Sequence, residues 1–169
     1  MTNLHKAIFF DRDGVLNKER KDYVKIHSEL EIFPNIGHLI KKLSDAGFLI
    51  IIITNQSAIN RGFTSHENLS EIHSKLQKFL QKNDTKIDSF YYCPHTPNEN
   101  CDCRKPNPGL ILRAVDEFKI NLQKSWMIGD NDSDIQAAIN SGCKYFKINF
   151  IHELPQIVKK ILDQDIGEK

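Results

Sequence analysis

The chain has 169 residues, 40 % of them hydrophobic and 27 % charged, with a formal net charge of +1. That is the size of one compact domain able to bury its own core, and the near-neutral balance excludes a protein drawn to nucleic acid by bulk positive charge. The longest apolar run, Phe48 to Ile53, is too short to span a bilayer, and Met1 to Lys6 offers no signal-peptide core, so a cytoplasmic location is expected.

Lys6 to Phe10 is a short apolar run that ends in Asp11-Arg12-Asp13-Gly14 and reads as a strand buried on both faces. Leu16 to Phe33 is polar, without a period, and long enough only for a small flap. Ile36, Leu39, Ile40 and Leu43 mark one helix face, stopped by Gly47. Phe48 to Ile53 is a second buried strand. Thr64 to Glu67 fits a capping box opening a helix with Leu69, Ile72, Leu76 and Phe79 on one face. Ile87 to Tyr92 is the third strand, and Cys93 to Lys105 a loop. Pro108 opens a helix to about Phe118. Ser125 to Ile128 and Lys144 to Ile148 are strands flanking a helix over Asp132 to Asn140, and Glu153 to Leu162 is the last helix.

Strands alternating with helices predict an α/β fold, a parallel sheet covered on both faces, as a single domain over residues 1–169. Ligands of such sheets bind beyond the carboxyl ends of the strands. The polar clusters fall there: Asp11 and Asp13 after the first strand, Thr54-Asn55-Gln56 after the second, the cysteine loop after the third, Gly129-Asp130 after the fourth.

Two carboxylates one residue apart at the tip of a buried strand repel each other, and Mg²⁺ is a natural compensating charge. A metal-bound carboxylate can attack phosphorus, and a second can protonate the leaving alcohol and then activate water. The alternative for this pair is a surface turn. Thr54 can hold phosphate oxygens or cap a turn. Lys105 can neutralise charge on a phosphoryl group, or be a solvated lysine. Asp132 reads as favourable charge at a helix N-terminus.

Asp11-x-Asp13-Gly14, Thr54, Lys105 and Gly129-Asp130-x3-Asp134, in that order and each after a strand, resemble the four motifs of the haloacid dehalogenase superfamily of phosphatases. The resemblance spans roughly residues 7–140. It implies a three-layer α/β/α, Rossmann-like fold without a large cap domain, Asp11 as nucleophile, and Asp13 as general acid/base. Thr54 and Lys105 would bind phosphate. Mg²⁺ would be held by Asp11, Asp130 and the Asp13 carbonyl, with Asp134 in support.

Of four cysteines, Cys93, Cys101 and Cys103 fall within eleven residues, beside His95. Three thiolates and one imidazole form a closed structural Zn²⁺ set, and zinc there would fix Arg104 and Lys105 as well. Cys143 reads as a small buried hydrophobe. His5, His27, His38, His66, His73 and His152 show no partner pattern and read as surface residues. Cys-Pro-His, Cys-Asp-Cys-Arg-Lys-Pro and the run Thr54 to Gly62 resemble the family of heptose bisphosphate and histidinol-phosphate phosphatases, closer to the heptose branch. That implies substrate contacts from Arg104, Asn55, Gln56, Ser57 and Arg61. Two departures stand out: a short stretch between His95 and Cys101, and Asn131 where the heptose branch carries lysine.

The expected activity is hydrolysis of a small phosphomonoester, the 7-phosphate of a heptose 1,7-bisphosphate, in nucleotide-activated heptose synthesis. The expected protein is a monomer with a small-molecule sugar bisphosphate as partner and neither nucleic acid nor membrane. The alternatives are a histidinol-phosphate phosphatase, a polynucleotide end phosphatase and a catalytically silent zinc-stabilised binding module.

Overall fold

The computed structural model describes residues 4–167. The first three residues of the stretch read for an export signal, and the last two of the expected domain, lie outside the described residues.

Ten regular elements alternate along the chain: β1 (Lys6–Phe10), α1 (Ile36–Asp45), β2 (Phe48–Asn55), α2 (His66–Gln81), β3 (Ser89–Cys93), α3 (Gly109–Phe118), β4 (Trp126–Gly129), α4 (Asp132–Ser141), β5 (Lys144–Lys147) and α5 (Leu154–Gly167). The strands form one sheet in the order β3-β2-β1-β4-β5, and every neighbouring pair is parallel.

The period of two along the central strands separates two cores. Ile8 and Phe10 of β1 and Ile50 and Ile52 of β2 face α1, α2 and α5. Ala7 and Phe9, with Ile51 and Ile53, face α3 and α4. All eight are fully buried, and each large one contributes about 1.5–3 kcal/mol by leaving water. This explains why β1 and β2 read as unbroken apolar runs: both of their faces are covered. Among the described residues no helix is long and apolar enough to cross a membrane.

Register places the site. Phe10 pairs with Ile52 on one side and Ile128 on the other, so Asp11 emerges between the ends of β2 and β4. The Asp11 amide still donates to the Ile128 carbonyl at 3.0 Å, which ties the first polar residue to the sheet. Two longer connections rise over this edge, residues 11–35 after β1 and 94–108 after β3. Between them they hold the 3-10 turns His27–Glu29 and Pro97–Glu99 and isolated bridges joining Asn17 to Asp13 and Ile32, in keeping with a fold that lacks a large cap.

Several expectations shift. β2 runs two residues further than expected, through Thr54 and Asn55, because β3 pairs with both. α2 is capped by Ser65, whose hydroxyl accepts from the Asn68 amide at 3.2 Å. Thr64, the expected cap, instead donates its hydroxyl to the Lys25 carbonyl. α5 ends at Gly167 rather than near Leu162. His73 is not a surface residue: it is buried and stacked on Phe90 at 4.3 Å. Burial and the charge of Arg12 push its pKa down to about 3, so it is neutral.

Candidate active site

The chain turns sharply after Asp11. The Leu16 amide donates to the Arg12 carbonyl at 2.8 Å and the Gly14 amide to the Asn17 carbonyl at 2.8 Å. Gly14 has φ +81°, and a side chain there would meet Asp130 Oδ2 at 2.1 Å. Only glycine satisfies both the backbone and the close approach of the β4 carboxylate.

Asp11, Asp130 and Asp134 gather into one acidic cluster, with an oxygen of each within 4.8 Å of the others. Lys105 enters from the opposite loop. Its Nζ lies 2.7 Å from the Ile53 carbonyl, 2.9 Å from Asp11 Oδ1 and 2.6 Å from Asp134 Oδ1. One carbonyl and two carboxylate oxygens thus surround the ammonium of a lysine that is 3 % exposed, the carbonyl by a hydrogen bond and the carboxylates as ion pairs. Burial works against its charge, but Asp11 and Asp134 overcome that and raise its pKa. Asp134 is used twice. Its other oxygen accepts from the Asn131 amide at 3.0 Å, closing a capping box at the start of α4.

Three carboxylates against one lysine leave excess negative charge. Burial first, then Asp134 and Asp13, push the Asp11 carboxyl up to about 7 against the pull of Lys105. Burial and Asp134 push Asp130 up to about 6. Asp130 Oδ1 is buried with no hydrogen-bond partner among the described residues. An unpaired buried carboxylate oxygen is costly unless something positive meets it. Hard oxygen donors at this spacing suit a divalent cation such as Mg²⁺, whose cis and trans ligands lie about 3–4 Å apart. The pair Asp11 and Asp130 fits that group.

Asp13 takes the opposite environment. Burial alone would raise its pKa, but Arg12, Asn17 and Gln56 bring it below the usual carboxylate value. Asn17 Nδ2 donates to Asp13 Oδ1 at 2.9 Å, and Gln56 Nε2 to Oδ2 at 2.9 Å. Gln56 Nε2 also lies 2.9 Å from Thr54 Oγ1, so one amide links the ends of β1 and β2. The two carboxylates of the motif therefore differ electrostatically: hydrogen bonds and Arg12 favour the ionised form of Asp13, while burial and neighbouring carboxylates disfavour it at Asp11.

Cys93 Sγ, His95 Nδ1, Cys101 Sγ and Cys103 Sγ form the second cluster. The sulfur separations are 3.3 and 3.6 Å, and His95 Nδ1 lies 3.4 and 3.3 Å from Cys93 and Cys103. A tetrahedral zinc site would set these edges at about 3.5–3.8 Å. Cys143 is buried in the same core but is not part of this group. The loop is anchored on all sides. Arg104 Nη1 donates to the His95 carbonyl at 3.0 Å, and Asn107 Nδ2 to the Cys101 carbonyl at 2.7 Å. Asn55 clamps the next peptide, accepting from the Lys105 amide at 3.0 Å and donating to its carbonyl at 3.1 Å.

A cavity of about 620 Å³ opens over the cluster. Asp11, Asp13, Thr54, Asn55, Gln56, Ser57, Arg61, Arg104, Lys105 and Asp134 of the sequence-derived set line it, and Asp130 joins through the acidic cluster. Asn55 and Gln56 line it while their amides are bonded to protein groups. The sequence reading missed Glu19, Arg20, Lys21 and Tyr23, which enter the wall from the flap after β1. Their only signal was their nearness to Asp13. It also passed over Arg12, fully buried beneath the site.

Residues 4–148 match the family described as haloacid dehalogenase-like hydrolase. A D-glycero-beta-D-manno-heptose-1,7-bisphosphate 7-phosphatase of Helicobacter pylori is 42 % identical over 143 residues, 84 % of this chain and 82 % of that protein. A Campylobacter jejuni protein named for the alpha anomer is 41 % identical over 136 residues, 80 % of this chain and 77 % of that protein. In structure, the chain is similar to a D,D-heptose bisphosphate phosphatase of B. bronchiseptica crystallised with magnesium and phosphate. The TM-score is 0.85 at 28 % identity, covering 97 % of this chain and 99 % of that one.

Proposed function

Because the chain belongs to the haloacid dehalogenase-like hydrolases, we propose that it is a phosphatase that removes the 7-phosphate of D-glycero-D-manno-heptose 1,7-bisphosphate through a phosphoryl group carried on Asp11. The observation that carries the chemistry is the Lys105 tripod. A buried cation is fixed against the Asp11 carboxylate at 2.9 Å, at a strand end that opens into a cavity. The names of the relatives support the substrate. So does the cavity wall, where Arg20, Lys21, Arg61 and Arg104 surround more room than one phosphate needs.

In this reading Asp11 and Asp130, with the Asp13 backbone carbonyl, hold Mg²⁺, which when bound offsets the charge of the phosphate and of the acidic cluster. Thr54 and Lys105 hold the phosphate oxygens, Lys105 neutralising charge as it develops. Asp11 attacks phosphorus, and the bond to the sugar oxygen breaks. Asp13, ionised in the free site, takes up a proton with the anionic substrate and gives it to that oxygen, then takes one from the water that frees phosphate and restores Asp11. Asp134 orients Lys105 and pins the loop carrying Asp130. Ser57, Arg61 and Arg104 hold the rest of the substrate. Asn55 sets the Lys105 peptide, and Gln56 bridges Thr54 and Asp13. Cys93, His95, Cys101 and Cys103 hold Zn²⁺ as a structural ion. A thiolate zinc set suits a reducing compartment, so the reading places the enzyme in the cytoplasm.

The test is the specificity constant on both anomers of the heptose bisphosphate, on histidinol phosphate and on a 5′- or 3′-phosphorylated oligonucleotide. The heptose bisphosphate is expected to exceed the others by at least about 100-fold, as a site built around a second phosphate discriminates. A higher constant for histidinol phosphate or for the oligonucleotide would overturn the substrate.

A further inference from the structure

Arg12 sits between the two motif carboxylates, yet it does not line the cavity. Its side chain is fully buried. It spends its donors on one neighbour: Nε lies 3.3 Å and Nη2 2.9 Å from Asp13 Oδ1, and Nη2 lies 2.8 Å from Oδ2. Nη2 also reaches Gln56 Oε1 at 3.4 Å. With Asn17 on Oδ1 and Gln56 on Oδ2, each carboxylate oxygen carries donors from two side chains, Arg12 being common to both. The Asp13 side chain, 24 % exposed, keeps an edge open to the cavity.

Such an arginine is a poor choice for stability alone. A buried ion pair carries a large desolvation penalty, and an apolar residue of similar volume often serves the fold as well or better. Nη1 has no hydrogen-bond partner among the described residues. His73, held neutral by burial and by the Arg12 charge, adds no second positive charge beside the guanidinium. What the guanidinium provides, and a lysine would not, is a planar fork that fixes the plane of a carboxylate.

We infer that Arg12 is a positioning residue, whose buried fork holds the Asp13 carboxylate in the orientation from which it exchanges a proton with the leaving oxygen. The inference rests on the reading of Asp13 as general acid. It separates Asp13 from the acidic cluster: Asp11, Asp130 and Asp134 share one space, while Asp13 is drawn towards Arg12, Asn17 and Gln56. It also accounts for Gln56, whose carbonyl faces Arg12 while its amide bonds Asp13 and Thr54.

The experiment compares two phosphate esters. Heptose 1,7-bisphosphate has an alkoxide leaving group that needs a proton, whereas para-nitrophenyl phosphate has a leaving group that departs without one. kcat/KM reports only steps through phosphoryl transfer to Asp11, so the later water attack, common to both, drops out. In Arg12→Lys, kcat/KM for the heptose ester should fall about 100-fold and that for the aryl ester less than about threefold. Arg12→Met should do the same, and Asp13→Asn sets the reference. Adding Arg12→Lys to Asp13→Asn should change neither ester further. Melting curves and bound zinc check the fold, and Arg12→Lys, which keeps the charge, carries the comparison if Arg12→Met does not fold. Equal losses on both esters, or no loss in Arg12→Lys, would overturn the inference. If Asp13→Asn itself fails to separate the esters, the reading of Asp13 as acid falls, and this one with it. If Asp13→Asn separates them and the Arg12 variants do not, only the role of Arg12 is wrong.

Discussion

Asp11 carries a conflict that decides how the site responds to pH. Burial raises its pKa to about 7 and that of Asp130 to about 6, both well above the usual carboxylate range. A carboxyl raised on folding holds a proton that the unfolded chain has lost, so it stabilises the fold at low pH. That contribution is lost as pH climbs from the unfolded value through the folded one. Mg²⁺ competes with those protons and is favoured once they have gone. The rise in melting temperature on adding Mg²⁺ should therefore be larger at about pH 8 than at about pH 5, read by differential scanning calorimetry. An equal or smaller shift at the higher pH would contradict the assignment of these carboxylates to the metal. Asp11, Asp13 and Asp130 were legible because a charged residue directly after a buried strand has few structural reasons to be there. Arg12 was not, because an arginine between two aspartates reads as a solvated turn until its burial is seen.

At the scale of single elements, the cysteine loop and the end of β2 work as one unit. Asn55 bonds both sides of the Lys105 peptide, and the Gln56 amide donates to the Cys93 carbonyl at 2.7 Å. The clustering of Cys93, His95, Cys101 and Cys103 was legible from residue type and spacing alone. The clamp was not: an asparagine after a strand reads equally well as a substrate contact, and only the pairing of β2 with β3 as far as Cys93 reveals its partner. The one-residue shift of the α2 cap has the same origin, because Thr64 is committed to the flap through Lys25. Purified protein should carry about one zinc per chain, and its removal should lower both the melting temperature and turnover. Asn55→Ala should cost about 1–3 kcal/mol by leaving the Lys105 peptide unpaired, and should lower kcat about tenfold with zinc retained. Unchanged kcat in Asn55→Ala would show that Lys105 is held well enough without the clamp. Turnover that survives complete loss of zinc would remove the loop from the account.

For the whole molecule, the decisive feature is the strand order. β1 lies centrally between β2 and β4, so its carboxyl end receives side chains from both neighbours and from the loops after β1 and β3. This much followed from the alternation of elements, since parallel sheets with covered faces bring their strand ends to one edge. The composition of the cavity wall did not follow. The flap from residue 16 to 33 has no period to read, and its Arg20, Lys21 and Tyr23 reach the cavity through tertiary ties. Lys75 of α2 donates to the His27 and Leu30 carbonyls at 2.8 and 3.0 Å.

The proposed reaction depends on Asp11 carrying the phosphoryl group. The direct measurement is acid-quenched turnover followed by mass spectrometry of the peptide containing Asp11, in the native chain and in Asp11→Asn. The account predicts one added phosphoryl group on Asp11 during turnover, more of it in Asp13→Asn acting on para-nitrophenyl phosphate, where only the water step is slowed, and neither adduct nor turnover in Asp11→Asn. Turnover in Asp11→Asn at the native rate, or a phosphoryl adduct on any other residue, would contradict it.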